Sequence, residues 1–270
     1  MKRVLLAALA VASVAGCGSS DSEGGAVALA RAAAETRGAG SARLALTTQL
    51  ELEGGESITV EGDGAYDRDP ERSRLRYSLS GGEQALEFEL VLVEEVMYQR
   101  FPPVIAERDL PAGRPWVRYP LEEFGRSFPA NVLVRLVDDP ASFVFGAQDD
   151  SQVNRIGTDE VRGVETTHYR LILDVPRRDE PSLDEQTRER LEELRESGVT
   201  ELVVEVWIDA DDLIRRTDVR YENATFEGRA ADVQSRVELY DFGTEVEIEP
   251  PPAGEVTTHE ELVERAEEPG

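Results

Sequence analysis

Cysteine is almost missing from this sequence, since Cys17 is the only one in 270 residues. A disulfide within the chain is therefore excluded, and so is a zinc site built from paired cysteines. Histidine is nearly as scarce, with only His168 and His259. The chain also lacks a nucleophile elbow of the Gly-x-Ser-x-Gly type and a phosphate-cradling glycine loop before a helix. These absences predict a protein that is not an enzyme and that holds no metal or cofactor.

Positive charge is also in short supply. Lys and Arg together number 29 against 56 Asp and Glu, which gives a formal net charge of −27. A chain this acidic has little attraction for nucleic acid or for anionic membrane surfaces. The simple interpretation is a self-repelling, soluble exterior, and the alternative is a surface that binds cations or a basic partner.

Long apolar runs are missing too. A bilayer span takes about 20 apolar residues, and no stretch of this sequence reaches that length. Residues 4–15 are apolar apart from Ser13 and follow Lys2 and Arg3, which is the order of a secretory signal. The run ends at Val14, Ala15, Gly16 and Cys17, which looks like a bacterial lipobox. The lipobox implies cleavage before Cys17 and a diacylglycerol on its sulfur. An ordinary signal peptide with a cysteine nearby by chance is the alternative.

The signal-like run and the lipobox-like residues define the first two segments of the predicted domain organisation. Residues 1–16 are predicted to be a lipoprotein signal peptide, and residues 17–25 the lipidated Cys17 with a flexible tether of small polar residues. The rest of the chain is long enough for one large domain or two small ones, and residues 26–250 are predicted to form a single domain. The tail at residues 251–270 is acidic, and a short helix is predicted in it.

Most of the domain alternates apolar and polar residues with the period of two that is typical of a half-buried strand. Five such segments lie between residues 44 and 98 and are separated by turn residues, which indicates an antiparallel meander. A second β block covers residues 153–242, and helices are predicted near residues 26–37, 129–137 and 182–197. We expect an α+β fold with a large curved antiparallel sheet, a half-barrel, and helices packed on its concave face.

The apolar face of the first meander offers candidate residues for the lining of a lipid cavity. These are Leu44, Leu46, Val60, Tyr77, Leu86, Phe88 and Leu90, while Phe101, Val104 and Ile105 of a Pro-rich loop are candidates for its rim. The alternatives are a fully packed core and a surface loop tucked onto the sheet. The sequence does not separate them, because a cavity wall and a core use the same side chains.

Other conspicuous residues are assigned structural roles. His168 falls on the polar face of a strand and is expected to be solvated or hydrogen-bonded. Asp209 and its neighbours are expected to form a tight turn rather than a calcium loop, since Ile214 stands where an EF-hand needs Gly. Trp116 and Trp207 are expected to be core anchors.

Three segments, at residues 110–117, 163–175 and 204–215, resemble the actinobacterial LppX/LprG-like lipoproteins, which are distantly similar in fold to LolA and LolB. The resemblance spans most of residues 26–250, and the three segments follow the lipobox in the sequence. It implies a half-barrel around helices, with an apolar cavity that carries acylated lipid or glycolipid. It supplies no catalytic residue to transfer, and Cys17 is the only functional residue that it carries over.

The resemblance also implies where the protein works and with what. We expect it on the outer face of the bacterial cytoplasmic membrane, anchored through Cys17, with a lipid or glycolipid ligand and an envelope transporter as a potential partner. Nucleic acid is not an expected partner. The alternative function is that of a non-enzymatic envelope scaffold or protein-interaction lipoprotein with a solid core.

Overall fold

A computed structural model describes residues 21–68, 71–82, 85–121, 152–175, 192, 194–226 and 228–267. The helices α1, α2 and α3 span Asp21–Gly38, Pro103–Asp109 and His259–Glu267. The strands are β1 (Ser41–Leu52), β2 (Ser57–Arg68), β3 (Glu71–Ser80), β4 (Ala85–Val93), β5 (Val96–Arg100), β6 (Trp116–Pro120), β7 (Gln152–Val161), β8 (Val164–Asp174), β9 (Glu201–Asp209), β10 (Ile214–Phe226), β11 (Arg229–Tyr240) and β12 (Val256–Thr258).

These strands form one 12-stranded sheet in the order β12-β6-β5-β4-β3-β2-β1-β11-β10-β9-β8-β7. It consists of two antiparallel meanders, β1–β6 and β7–β11, which join where β1 pairs with β11. The short strand β12 adds to β6 in parallel. Within the described residues, the outermost strands, β12 and β7, do not pair with each other, so the sheet that they end is open. The predicted α+β class with one large antiparallel sheet is confirmed.

One face of the sheet, here called the inner face, is apolar along both meanders. Leu44, Leu46 and Leu50 of β1 alternate on it and pair with Leu239, Val237 and Val233 of β11. Helix α1 covers the part of this face that β7–β10 form. Its Leu29, Ala32 and Ala33 are fully buried against those strands, and the backbone N–H of Ile214 donates to Thr36 Oγ1 at 2.9 Å.

Two glycines of β2 let neighbouring strands approach closely. A Cβ on Gly64 would lie 2.2 Å from the carbonyl oxygen of Arg74, and one on Gly62 would lie 2.7 Å from that of Arg76. Glycine inside a strand commonly marks such a close backbone approach or a bend. Both glycines lie at inner-face positions of β2. Gly64 pairs with Leu75 of β3, and Gly62 pairs with Tyr77.

On the second meander the opposite, outer face is polar and carries several ion pairs. Glu205 accepts hydrogen bonds from Arg170 and Arg220, at 2.7 Å each for the shortest contacts. Asp218 accepts from Arg216 and Arg236. Both carboxylates are buried, because the long arginine side chains lie over them.

Trp207 is buried as predicted, but within this charged network rather than in an apolar core. Its ring stacks on His168 with 4.2 Å between centroids, and the Arg216 guanidinium lies 4.1 Å from the ring centroid. His168 Nε2 lies 3.4 Å from a Glu205 oxygen. Burial lowers the pKa of His168, although the Glu205 charge opposes that shift. At neutral pH the outer face therefore holds His168 as an uncharged stacking partner.

A strap formed by residues 244–252 crosses the outer face of the first meander. Ile248 is buried there against Val91 and Trp116, and Arg72 and Arg74 donate to the carbonyl oxygens of Ile248 and Glu249. Trp116 is thus a core anchor, as predicted. Because the strap leads into β12, which belongs to the sheet, the predicted domain boundary at residue 250 is wrong. The short helix predicted in the tail corresponds to α3.

Other expectations are corrected or lie outside the described residues. Helix α1 already includes Asp21–Gly25, so this part of the predicted tether is wrong. The tight turn at Asp209 is confirmed, since its Oδ1 accepts the backbone N–H groups of Asp211 and Leu213. Residues 194–196 are helical and lead to Gly198 at φ 99°, the predicted helix stop. Cys17, the signal peptide at residues 1–16, the helix near 129–137 and most of that at 182–197 lie outside the described residues.

Candidate functional site

Five of the ten candidate lining and rim residues meet in one buried cluster on the inner face of the first meander. Leu44, Leu46, Val60, Tyr77 and Leu90 belong to it, and each is 8% exposed or less. Strand register brings them together, since the alternating positions of β1, β2, β3 and β4 pair in sequence across the sheet. The cluster is therefore a product of the meander that the sequence predicted.

Three aromatic rings, here called the aromatic ladder, lead from this cluster toward the end of β5. The rings of Tyr77 and Phe88 stack at 5.2 Å with an interplanar angle of 11°. Phe101, which follows β5, meets Phe88 edge-on at 6.0 Å and 72°. Offset-stacked and edge-to-face geometries are those that aromatic quadrupoles prefer. The ladder thus links a predicted lining residue to a predicted rim residue.

Tyr77 carries the polar group of the ladder. Gln99 Nε2 donates to Tyr77 Oη at 3.4 Å. Burial raises the pKa of Tyr77 to about 12, with the Gln99 hydrogen bond acting in the opposite direction. The phenol is therefore neutral at physiological pH, and this face carries no charge from Tyr77.

The remaining candidates are less buried than the cluster. Phe88 packs against it, and Leu86 lies at its margin, because Leu86 pairs with Leu79, which also packs against it. Leu86, Phe88, Phe101 and Ile105 are half-buried, whereas Val104 is 61% exposed. The Pro-rich segment that holds the last three is not the irregular loop that was expected, because helix α2 begins at Pro103. Proline suits the first turn of a helix, where its missing N–H has no intrahelical partner in any case. Val104 faces outward and does not join the cluster.

Several members of the cluster were not among the candidates. They are Ala42, Tyr66, Leu75, Leu92, Met97, Val237 and Leu239. Leu75 of β3 and Leu92 of β4 could have been found by extending the same period of two, whereas Met97 of β5 is out of phase with its apolar neighbours Val96 and Tyr98. The members from β11 could not be found in this way, because β1 and β11 are far apart in sequence and only their pairing places Val237 and Leu239 beside Leu44 and Leu46.

A separate cavity of about 600 Å³ lies against the outer face, where β9, β10, β11 and β1 meet. Its lining includes Glu51, Glu201, Glu222 and Asp232 together with Arg220. None of the predicted lining residues borders it. Carboxylates lose hydration when apolar groups cover them, so this cavity does not suit an acyl chain.

Two negative findings apply to the part of the chain that the structure describes. No three His, Cys, Asp or Glu side chains there are grouped as metal ligands would be. None of its helices combines the length and the hydropathy that a bilayer span requires.

The described residues share their fold with a lipoprotein of known structure. It is the fold of LppX from Mycobacterium tuberculosis, with a TM-score of 0.51 at 11% identity over 84% of this chain and 99% of LppX. The resemblance expected from the sequence is thus confirmed at the level of the fold. LprF from Mycobacterium bovis has a TM-score of 0.49 at 16% identity, over 86% of this chain and 99% of LprF.

Sequence comparison adds one relative. It is an uncharacterised 31.2 kDa protein from the rplA–rplJ intergenic region of Streptomyces griseus, 29% identical over 160 residues. The match spans 57% of this chain and about half, 51%, of that protein. No family model matches the sequence.

Proposed function

We propose that this protein is a membrane-anchored envelope lipoprotein that binds and shuttles acylated lipid or glycolipid in an apolar cavity. The observation that carries the proposal is the fold shared with LppX, a lipoprotein. The lipobox-like sequence supports it by offering Cys17 as the anchor to the outer face of the bacterial cytoplasmic membrane. Residues 1–16 are the signal peptide in this proposal.

The cavity belongs to the first meander. In the second meander the inner face is packed by α1, whose Leu29, Ala32 and Ala33 are fully buried. The first meander instead carries the aromatic ladder, which runs from buried Tyr77 to half-buried Phe101. An acyl chain lies along this ladder, with Leu44, Leu46, Val60 and Leu90 on the cavity wall.

Transfer by this route is passive. Removing an acyl chain from a bilayer costs roughly 0.8 kcal/mol for each methylene group exposed to water, and only a comparably apolar cavity returns that energy. No nucleophile, metal or cofactor takes part, so the protein is a carrier rather than an enzyme. Its partners are the lipid, the membrane and an envelope transporter that delivers or receives the lipid.

Extraction of bound lipid tests the proposal. Replacing residues 1–17 by an ordinary secretory signal exports residues 18–270, which include every described residue, without an anchor. The protein is purified from its native host without detergent, and its lipids are extracted and identified by mass spectrometry. We expect about one acylated lipid per protein.

Two substitutions locate the lipid. Leu86→Arg places a charge at the half-buried margin of the first meander and is expected to remove most of the bound lipid. Ile172→Arg places the same charge on the outer face, where Ile172 is 40% exposed, and is expected to leave the lipid in place. Equal loss in both variants would contradict the proposed position of the cavity.

The second candidate function is a scaffold or protein-interaction lipoprotein with a solid core. This function is favoured by the burial of five of the proposed lining residues, because a packed core buries its side chains as completely as these are buried. They are Leu44, Leu46, Val60, Tyr77 and Leu90. An empty, monodisperse protein that also takes up no added fluorescent phospholipid would replace the carrier proposal by this one.

A further inference from the structure

One row of paired residues runs straight across the sheet from β7 to β4. Continuous register pairs lead from Val153 of β7 through Val204 of β9, Ser235 of β11 and Val60 of β2 to Leu86 of β4. Val153 and Leu86 therefore lie at the same height along the strands, although they belong to opposite halves of the sheet. Leu86 is at the margin of the proposed cavity, so this height marks the cavity end of the strands, here called the rim end.

Helix α1 begins at the rim end. A Cβ on Gly25 would lie 2.6 Å from Val153 Cγ1, so α1 crosses the row close to its own first turn. Farther along the helix, Arg31 pairs with Asp212 at 2.6 Å and Thr36 accepts from Ile214, at the opposite end of the strands. The helix axis thus leads away from the row, and Asp21 lies toward the rim end.

Chain length then limits how far the anchor can be from this end. Asp21 follows Cys17 by four residues, and a chain extends by at most about 3.6 Å per residue. The Cα of Cys17 is therefore no more than ~14 Å from that of Asp21. A lipid on the Cys17 sulfur brings the bilayer surface to the rim end and not to the opposite end of the sheet.

The rim end also carries an exposed apolar group. Helix α2 follows β5 at this end, directly after Phe101 of the aromatic ladder. Val104 of α2 is 61% exposed, and its neighbour Ile105 is half-buried. Contact with a bilayer surface would remove the Val104 side chain from water, which is favourable for an apolar group.

We propose that the rim end is a membrane-docking surface on which α2 lies against the phospholipid bilayer, with Val104 inserted at the boundary of headgroups and acyl chains. In this orientation the aromatic ladder opens toward the lipid that it receives. The inference rests on the proposed function, because it takes Cys17 as the anchor. With a formal net charge of −27, the protein favours zwitterionic over anionic headgroups.

A fluorescent label on α2 tests the docking. The full-length lipidated protein has no other cysteine once Cys17 is acylated, so a Val104→Cys variant offers one thiol for an environment-sensitive dye. After reconstitution into phosphatidylcholine vesicles, we expect its emission to shift to shorter wavelength. We also expect quenching by phospholipids that carry a nitroxide on the acyl chain.

Val263→Cys is the matched control. Val263 is 43% exposed on α3. This helix follows Thr258, which shares a row with Arg118, Arg74 and Arg43 in the half of the sheet away from the rim end. Its label is expected to emit as in water and to escape the nitroxide.

The outcomes separate this proposal from the proposed function. If the Val104 label reports water, or if both labels are quenched equally, the docking orientation is wrong. The lipid-extraction experiment needs no anchor, so its result stands either way. If the parent chain without an added cysteine also takes up dye, Cys17 is not acylated, and both the anchor and the docking surface are overturned.

Discussion

Asp218 and Glu205 are buried carboxylates on an otherwise solvent-facing side of the sheet, and each is held by two arginines. A strand alternation assigns such positions to the polar face and predicts that they are exposed. The sequence could not show their burial, because it results from arginines on adjacent strands that lie over them. For these two residues the strand alternation predicts the correct face of the sheet but the wrong degree of burial.

Asp218 gives the outer face a dependence on pH. Burial disfavours its charge, but hydrogen bonds from Arg216 and Arg236 lower its pKa overall in the folded protein. Its stabilising effect is therefore complete above the unfolded pKa of about 3.9 and is lost as the pH falls through the folded pKa. We expect Asp218→Asn to lower the free energy of unfolding at pH 7 by about 1–3 kcal/mol, and to flatten its decline in acid, in urea titrations at several pH values.

The control for this prediction is Asp241→Asn. Asp241 is 60% exposed and lies 3.6 Å from Arg43, and exposed pairs of this kind contribute about 0–1 kcal/mol. An equal loss of stability in the two variants would show that the buried network has no special role.

Gly64 gives a second prediction for a single residue. Gly64→Ala is expected to destabilise the protein by about 1–3 kcal/mol, because its Cβ would meet the Arg74 carbonyl group and the two strands would have to move apart. Gly38→Ala, at a position with nothing within 4 Å of the new Cβ, is expected to change stability by about 0.5 kcal/mol or less. Denaturant midpoints of the two variants measure the difference, and similar midpoints would contradict the close approach.

Among the elements, the long strands and β5 could be predicted, whereas β6, β12 and α2 could not. Strand β9 spans Glu201–Asp209, within the second β block that the sequence predicted. The three residues of β12 are too short to show a period, and β6 and α2 lie in or next to a Pro-rich segment whose sequence predicts a loop. The aromatic ladder was therefore predicted only in part, since the contact of Phe101 with Phe88 depends on the path of the chain into α2.

Helix α1 allows a prediction at the scale of one element. Leu29→Ala removes a fully buried side chain from the interface with the second meander and is expected to cost about 2–5 kcal/mol. Val27→Ala, on the same helix but 66% exposed, is expected to be nearly neutral. Lipid content is expected to be unchanged in both, because α1 packs outside the proposed cavity. Thermal unfolding and lipid extraction together check this, and loss of lipid in the folded Leu29→Ala protein would place the cavity under α1 instead.

For the whole molecule, the proposed cavity predicts an unequal response to lipid removal. A ligand that binds only the folded state stabilises it, so delipidated protein is expected to unfold at a lower temperature. Hydrogen exchange is expected to quicken mainly in β1–β4 and much less in β8–β10, which α1 already packs. Uniform exchange with and without lipid would indicate a solid core.

The junction of β1 with β11 has a consequence for how the chain reaches this structure. Each meander is built from neighbours in sequence, but β1 and β11 come together only after the chain between them has been made. Until then the N-terminal meander presents β1 as an open edge, a template for pairing with other chains. Such a non-local closure slows folding. The first half of the sheet therefore stays unprotected until β11 has formed, and damage near Arg229–Tyr240 would harm the protein by leaving that half to aggregate.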